Sequence, residues 1–133
     1  MNHGNALPIQ GLSTTGQILD NQQFDSAYLI YFWATWCGVC KMTSPAVSDI
    51  AAQSPVIAVA VASGSNTLIN QFLATNNYQF SSLNVDSIPG QWRAEYLPAI
   101  YIVDKKGQIR FVTTGISSKW GLTLKLWIAD TWW

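Results

Sequence analysis

The hydrophobic and polar positions of the chain fall into strand-length and helix-length patterns that alternate. Residues 27–33, Ala-Tyr-Leu-Ile-Tyr-Phe-Trp, are a continuous apolar and aromatic run, and residues 56–62, Val-Ile-Ala-Val-Ala-Val-Ala, are a second. Runs of this length without a polar face are the habit of strands buried on both sides, as in parallel sheets. Between them Val39, Met42, Ala46, Val47 and Ile50 recur at three- and four-residue steps, which predicts a helix over residues 38–52 with that face buried. Pro45 falls inside this helix and is expected to kink it rather than end it, because the pattern continues beyond. Ser65-Asn66 read as the cap of another helix that runs to Thr75, with Leu68, Ile69, Phe72 and Leu73 facing inward.

The remaining segments complete the order. Residues 1–13 carry Gly, Asn, Pro and Ser without periodicity and read as a loose lead-in to a domain over 14–133. Residues 15–19 predict a short strand before an Asp20-Asn21 turn, 82–86 a weak strand or loop, and 89–96 a short helix opened by Pro89. Residues 99–103 and 108–114 predict two strands joined by the hairpin turn Asp104-Lys105-Lys106-Gly107. A final helix runs from Ser117 with Trp120, Leu124, Trp127 and Ile128 on one side, and Trp127 is assigned to the core together with Trp33. Strands joined through a helix should be parallel and those joined by a tight turn antiparallel. The expected fold is α/β, a mixed central sheet with helices on both faces.

Composition narrows the function. The 133 residues suit one domain, and seven Lys and Arg balance seven Asp and Glu, so no field exists to steer nucleic acid. No apolar run approaches the length of a membrane span, and the N-terminus lacks the basic start and apolar stretch of a signal peptide. The protein is then either cytoplasmic or carries its anchor or signal outside this chain. Two cysteines stand three positions apart. A structural disulfide between them would close almost no loop, and a zinc site would need more ligands than His3 can supply. No metal or cofactor is expected, and redox chemistry is the reading left for Cys37 and Cys40.

The placement of the pair supports that reading. Cys37 falls where a buried strand gives way to a helix, so unpaired N–H groups and the helix dipole favour a thiolate there. Cys40 lies one turn on, within disulfide reach and more deeply buried. Cys37 is therefore the attacking thiol and Cys40 the resolving one. Gly38 allows the tight turn and leaves room for a substrate, and Trp36 would flank the exposed sulfur as an apolar wall.

The segment Phe32-Trp33-Ala34-Thr35-Trp36-Cys37-Gly38-Val39-Cys40-Lys41, followed by Pro45, resembles the thioredoxin active-site pattern F-W-A-x-W-C-G-x-C-K with a proline five residues after the second cysteine. The resemblance implies the thioredoxin fold and dithiol–disulfide exchange with disulfide-containing protein substrates. Pro98, in Tyr96-Leu97-Pro98-Ala99-Ile100, resembles the family's cis-proline before a strand, which implies that the Leu97 backbone pairs with an extended substrate. Trp36, Gly38, Val39, Leu97 and Pro98 are the expected substrate contacts. The spacing from Cys40 to Pro98 leaves room for an extra strand–helix insertion around 65–86, similar to the TlpA and ResA type of extracytoplasmic reductase. The tail from Gly115 to Trp127 resembles the membrane-anchored thioredoxin-like proteins of copper-tolerance loci. These likenesses imply a monomeric periplasmic domain, tethered by an anchor and fed by a membrane electron donor.

The chain also departs from the family pattern. Tyr31 stands where thioredoxin has a buried Asp, and Thr43 where the ResA type often has a Glu, so Cys40 must lose its proton to water, to another group or by a slower route. The stretch before Pro98 lacks the V-x-x-T-P form. Gly38-Val39 holds no His to stabilise the thiolate, which favours a reductase over a thiol oxidant or isomerase. Two readings of another class are a Cu(I)-binding module that uses both thiolates and a redox-silent docking domain.

Overall fold

A computed structural model describes residues 9–86, 97–114 and 119–132. Along the chain run β1 (Gln10–Leu12), β2 (Ile18–Asp20), β3 (Tyr28–Trp33), α1 (Cys40–Ala51), β4 (Val56–Val61), α2 (Asn66–Asn76), β5 (Ser82–Val85), β6 (Ala99–Val103), β7 (Ile109–Thr114) and α3 (Lys119–Trp132). The two apolar runs become β3 and β4, and they pair in parallel from Leu29↔Val56 to Trp33↔Ala60. All six residues of β3 are buried. Strand β5 extends the sheet in parallel beside β4, while β6 and β7 add antiparallel strands beyond β3, giving the order β5-β4-β3-β6-β7. The expected mixed sheet is present, and the segment around 65–86 is a helix followed by an edge strand.

Alternation along β3 divides the core. Leu29, Tyr31 and Trp33 face α1, α2 and α3 through Val47, Ile50, Ile69, Leu73, Leu122, Leu126 and Ala129. Tyr28, Ile30 and Phe32 face the other way and pack with Ile9, Leu19 and Phe24 from the N-terminal segment. Residues 9–12, read from the sequence as part of a loose lead-in, are therefore built in. β1 pairs with β2, and the Thr14 N–H donates to the Ser82 carbonyl of β5. The helix expected at 89–96 and the start of the last helix at Ser117 lie outside the described residues.

Three helix faces differ from the expectation. In α1 the buried side runs through Cys40, Thr43, Ser44, Val47 and Ile50, while Val39 and Met42 face solvent. Helix α1 continues through Pro45, as the pattern implied. In α2 the Ser65 hydroxyl caps the first turn by accepting from the Leu68 N–H, and Ile69 and Leu73 are buried, but Leu68 is exposed. In α3 the buried positions are Leu122, Leu126 and Ala129, and Trp127 is 56% exposed, so it is no core residue. Both stripes of α3 are apolar, and the smaller side chains are the ones that fit against the sheet.

The β6–β7 turn is held by Asp104. Its carboxylate accepts from the Lys106 and Gln108 N–H groups and from Arg110 Nε at 2.7 Å, and Gly107 supplies the positive φ of +83°. Burial alone would push this carboxyl up. The bonds from Gln108, Arg110 and Lys106 outweigh burial and hold it below the usual carboxylate range. Because the folded-state value is depressed, the stabilisation is present at neutral pH and is lost as pH falls through that value. Asp104→Asn should cost about 2 kcal/mol at pH 7. As pH falls from ~4 through that depressed value, its denaturant midpoint should approach that of the parent protein.

Candidate active site

At the end of β3 the chain leaves the sheet as Ala34-Thr35-Trp36-Cys37 and enters α1. The Cys37 N–H donates to the Ala34 carbonyl, and the first turn closes with Lys41 N–H to Gly38 and Met42 N–H to Val39. Val39 already has helical angles, φ −66° and ψ −33°. Cys37 lies just ahead of α1, and its sulfur accepts from the N–H of Cys40, the first residue of the helix, at 3.2 Å. That geometry matches a capping side chain that meets an unpaired N–H of the first helical turn. Cys37 and Cys40 form a disulfide with their Cα atoms 5.3 Å apart. Both are buried, Cys40 more deeply, at 2% exposure against 7%.

Beneath the pair lies a neutral polar layer. The Tyr31 hydroxyl is 2.7 Å from Ser44 Oγ and donates toward the Cys40 carbonyl at 3.3 Å. Burial pushes the Tyr31 hydroxyl far above its ordinary value, although the Ser44 bond pulls the other way. It therefore stays protonated through the physiological range and cannot serve as a base for Cys40. Thr43, at the other departure from the family pattern, is fully buried one turn after Cys40. Trp33 and Tyr31 pack on Phe80 edge-to-face, and Trp33 stacks on Phe72 of α2 at 5.7 Å.

A support that sequence reasoning missed comes from the loop after β4. The Ser63 hydroxyl accepts from the Thr35 N–H at 3.0 Å and donates to the Val61 carbonyl. The Trp36 indole N–H donates to the Ala62 carbonyl at 2.9 Å, while the indole itself is 64% exposed. These partners are 26 and 28 positions away in sequence, so no local pattern announces them. On the opposite side, the register Phe32↔Ala99 brings Pro98 to the end of the sheet where the cysteine loop departs. The Leu97–Pro98 peptide is cis. Pro98 is buried and Leu97 half-buried.

Two hollows, of about 290 and 370 Å³, lie at the other end of the sheet. The first is walled by Ala27, Pro55 and Asp130, and the second by Tyr28 and the Asp104 turn, so neither adjoins Cys37. Among the described residues no group of three or more His, Cys, Asp or Glu gathers, and no helix is long and apolar enough to cross a membrane.

The thioredoxin family profile matches residues 15–126. A thioredoxin-like protein of Haemophilus influenzae is 34% identical over 129 residues, covering 95% of this chain and 77% of that protein. The thioredoxin-like protein YneN of Bacillus subtilis is 30% identical over 74% of this chain and 62% of its own length. Among solved structures, a secreted thiol-disulfide isomerase of Corynebacterium glutamicum superposes with a TM-score of 0.80 at 17% identity, covering 91% of this chain and 81% of that one. A secreted disulfide oxidoreductase of Mycobacterium tuberculosis gives 0.74 at 21% identity, covering 89% and 93%. The chain belongs to the thioredoxin family, and with its Cys37–Cys40 pair it is a thiol-disulfide oxidoreductase of that family.

Tyr31→Phe should lower stability by about 1–2 kcal/mol at neutral pH, because Ser44 and the Cys40 carbonyl lose a buried partner. A tyrosine whose folded-state value is raised stabilises fully below its unfolded value near 10 and loses that stabilisation as pH rises. In the oxidised protein, where neither cysteine titrates, the alkaline fall in stability should therefore be shallower for Tyr31→Phe, by up to about 1.4 kcal/mol per pH unit. Urea titrations at pH 7 to 11 measure both effects.

Proposed function

We propose that the protein reduces disulfides of extracytoplasmic protein substrates, with Cys37 as the attacking sulfur and Cys40 as the resolving one. The observation that carries this assignment is the Cys40 N–H directed at Cys37 Sγ at the start of α1. A thiolate on Cys37 gains that donor and the positive end of the helix dipole, whereas Cys40, inside the first turn, is shielded. The Cys37 thiolate attacks one sulfur of the substrate disulfide, and the other sulfur leaves as a thiol after taking a proton. The Cys40 thiolate then attacks Cys37 Sγ, the second substrate thiol departs, and the protein is left with its own disulfide. Two electrons have passed to the substrate, and a dithiol donor returns them. With Tyr31 neutral, water takes the proton of Cys40.

Trp36, Gly38 and Val39 would border the bound substrate, and the Leu97 backbone beside Pro98 would pair with it as an added strand. The secreted relatives among the solved structures favour an extracytoplasmic site. We assign the chain to the TlpA and ResA branch, near the proteins of copper-tolerance loci, acting as a monomer. In this reading an anchor outside the chain tethers it, and a membrane donor of electrons regenerates it. The absence of His between the cysteines favours a reductase over an oxidant or isomerase.

Cys40→Ser should accumulate substrate as a mixed disulfide on Cys37, visible by non-reducing electrophoresis and peptide mapping. Trapping through Cys40 in Cys37→Ser instead would reverse the roles. Equilibration in graded dithiol/disulfide buffers should give a midpoint near the thioredoxin value of about −270 mV, and a value near about −120 mV would make the protein an oxidant.

A further inference from the structure

The exposed side of the cysteine loop is apolar. Trp36, Val39 (40% exposed) and Met42 (64%) surround it on the α1 side. A fourth apolar side chain comes from the insertion. Leu68 (57% exposed) stands in the first turn of α2, turned away from Ile69 and Leu73 of the core. It lies over Gly64, where an added Cβ would sit 3.0 Å from Leu68 Cδ1. At the other end of the same three-residue loop, the Ala62 carbonyl holds the Trp36 indole. Trp36 and Leu68 therefore flank one loop, Ala62–Gly64, and from Ala62 through Ile69 the chain carries no charged residue. The charges adjoining these elements are Lys41, after Cys40, and Asp86, after β5.

A single exposed Leu is ordinary, but one that continues an apolar surface leading to a reactive sulfur is a recognition feature. We propose that Trp36, the Ala62–Gly64 loop and Leu68 form an apolar shelf for the substrate chain. An extended polypeptide whose disulfide meets Cys37 lays a bulky uncharged side chain across it. The substrate class is thus polypeptide disulfides with apolar neighbours, in preference to disulfides flanked by charge. The shelf is continuous with the exchange site, and the inference rests on the exchange reading above. Small disulfides without neighbouring side chains would not reach Leu68.

The test uses two peptides that share one disulfide loop, flanked by Leu and Phe in the first and by Glu and Lys in the second. Values of kcat/KM are measured with a chemical dithiol as the regenerating donor. The parent protein should prefer the apolar peptide. Leu68→Gln should lower that selectivity ratio about fivefold through the KM of the apolar peptide, and Leu68→Met should restore it. An unchanged ratio in Leu68→Gln, with turnover intact, overturns the shelf and leaves the exchange reading standing. The same loss in Leu124→Gln, on the distant exposed face of α3, would also overturn it, since the effect would not belong to this surface. If the parent turns over neither peptide, the exchange reading fails and the shelf with it.

Discussion

The structure depends on a strand with no solvent face. β3 lies between a parallel and an antiparallel neighbour and is covered on both sides, so every one of its side chains is committed to packing. Its exposed chemistry can only appear where it ends. The end of β3 is also where the register places Pro98 and where the β4 loop reaches Thr35 and Trp36. Backbone pairing in the sheet thus fixes three separate pieces of the site relative to one another, and the start of α1 adds the N–H aimed at Cys37. Little is left to flexible side chains, which suits a reaction in which sulfur atoms must meet in line.

The layer under the disulfide shows what happens when burial excludes charge. A carboxylate beneath Cys40 would need compensation in this environment, since burying an unpaired charge is costly. Tyr31 fills the space with an aromatic ring and satisfies its hydroxyl on Ser44 and the Cys40 carbonyl. This layer is completed without a buried ion, and Cys40 rests over a neutral hydroxyl in place of a carboxylate. Asp104 is the contrasting case. It too is fully buried, but two backbone N–H groups and Arg110 keep it charged at the end of the sheet away from the cysteines.

How much the sequence disclosed follows from the range of the interactions. The strands were legible because uninterrupted apolar runs have few alternatives, and the active-site segment because its pattern is local and dense. The helix faces were less legible. α3 carries two apolar stripes, one with Trp120, Leu124 and Trp127 and one with Leu122, Leu126 and Ala129, and hydrophobicity alone selects the bulkier. The sheet selects the slimmer. In α1 a similar error arose because Thr43, Ser44 and Ser48 are buried polar residues whose place in the core depends on partners elsewhere, Tyr31 for Ser44 and the Gln79 N–H for Ser48. Ser63 was invisible for the same reason, since its role is defined by Thr35, far away in the chain.

The insertion is more than an appendage to this framework. Ala62 sits at φ +48°, a left-handed conformation that costs an alanine about 1 kcal/mol. It is held there by bonds from two directions, its N–H to the Val85 carbonyl of β5 and its carbonyl to the Trp36 indole. The Asn84 amide adds a bond to the Gly64 carbonyl and another to Asn66 at the start of α2. The edge strand therefore sets the shape of the loop, and the loop sets the position of the indole beside Cys37. Phe72 of α2 and Phe80 before β5 in turn close the core over Trp33. The same element that completes the hydrophobic core shapes the surface beside Cys37, so the insertion could not be trimmed without disturbing both.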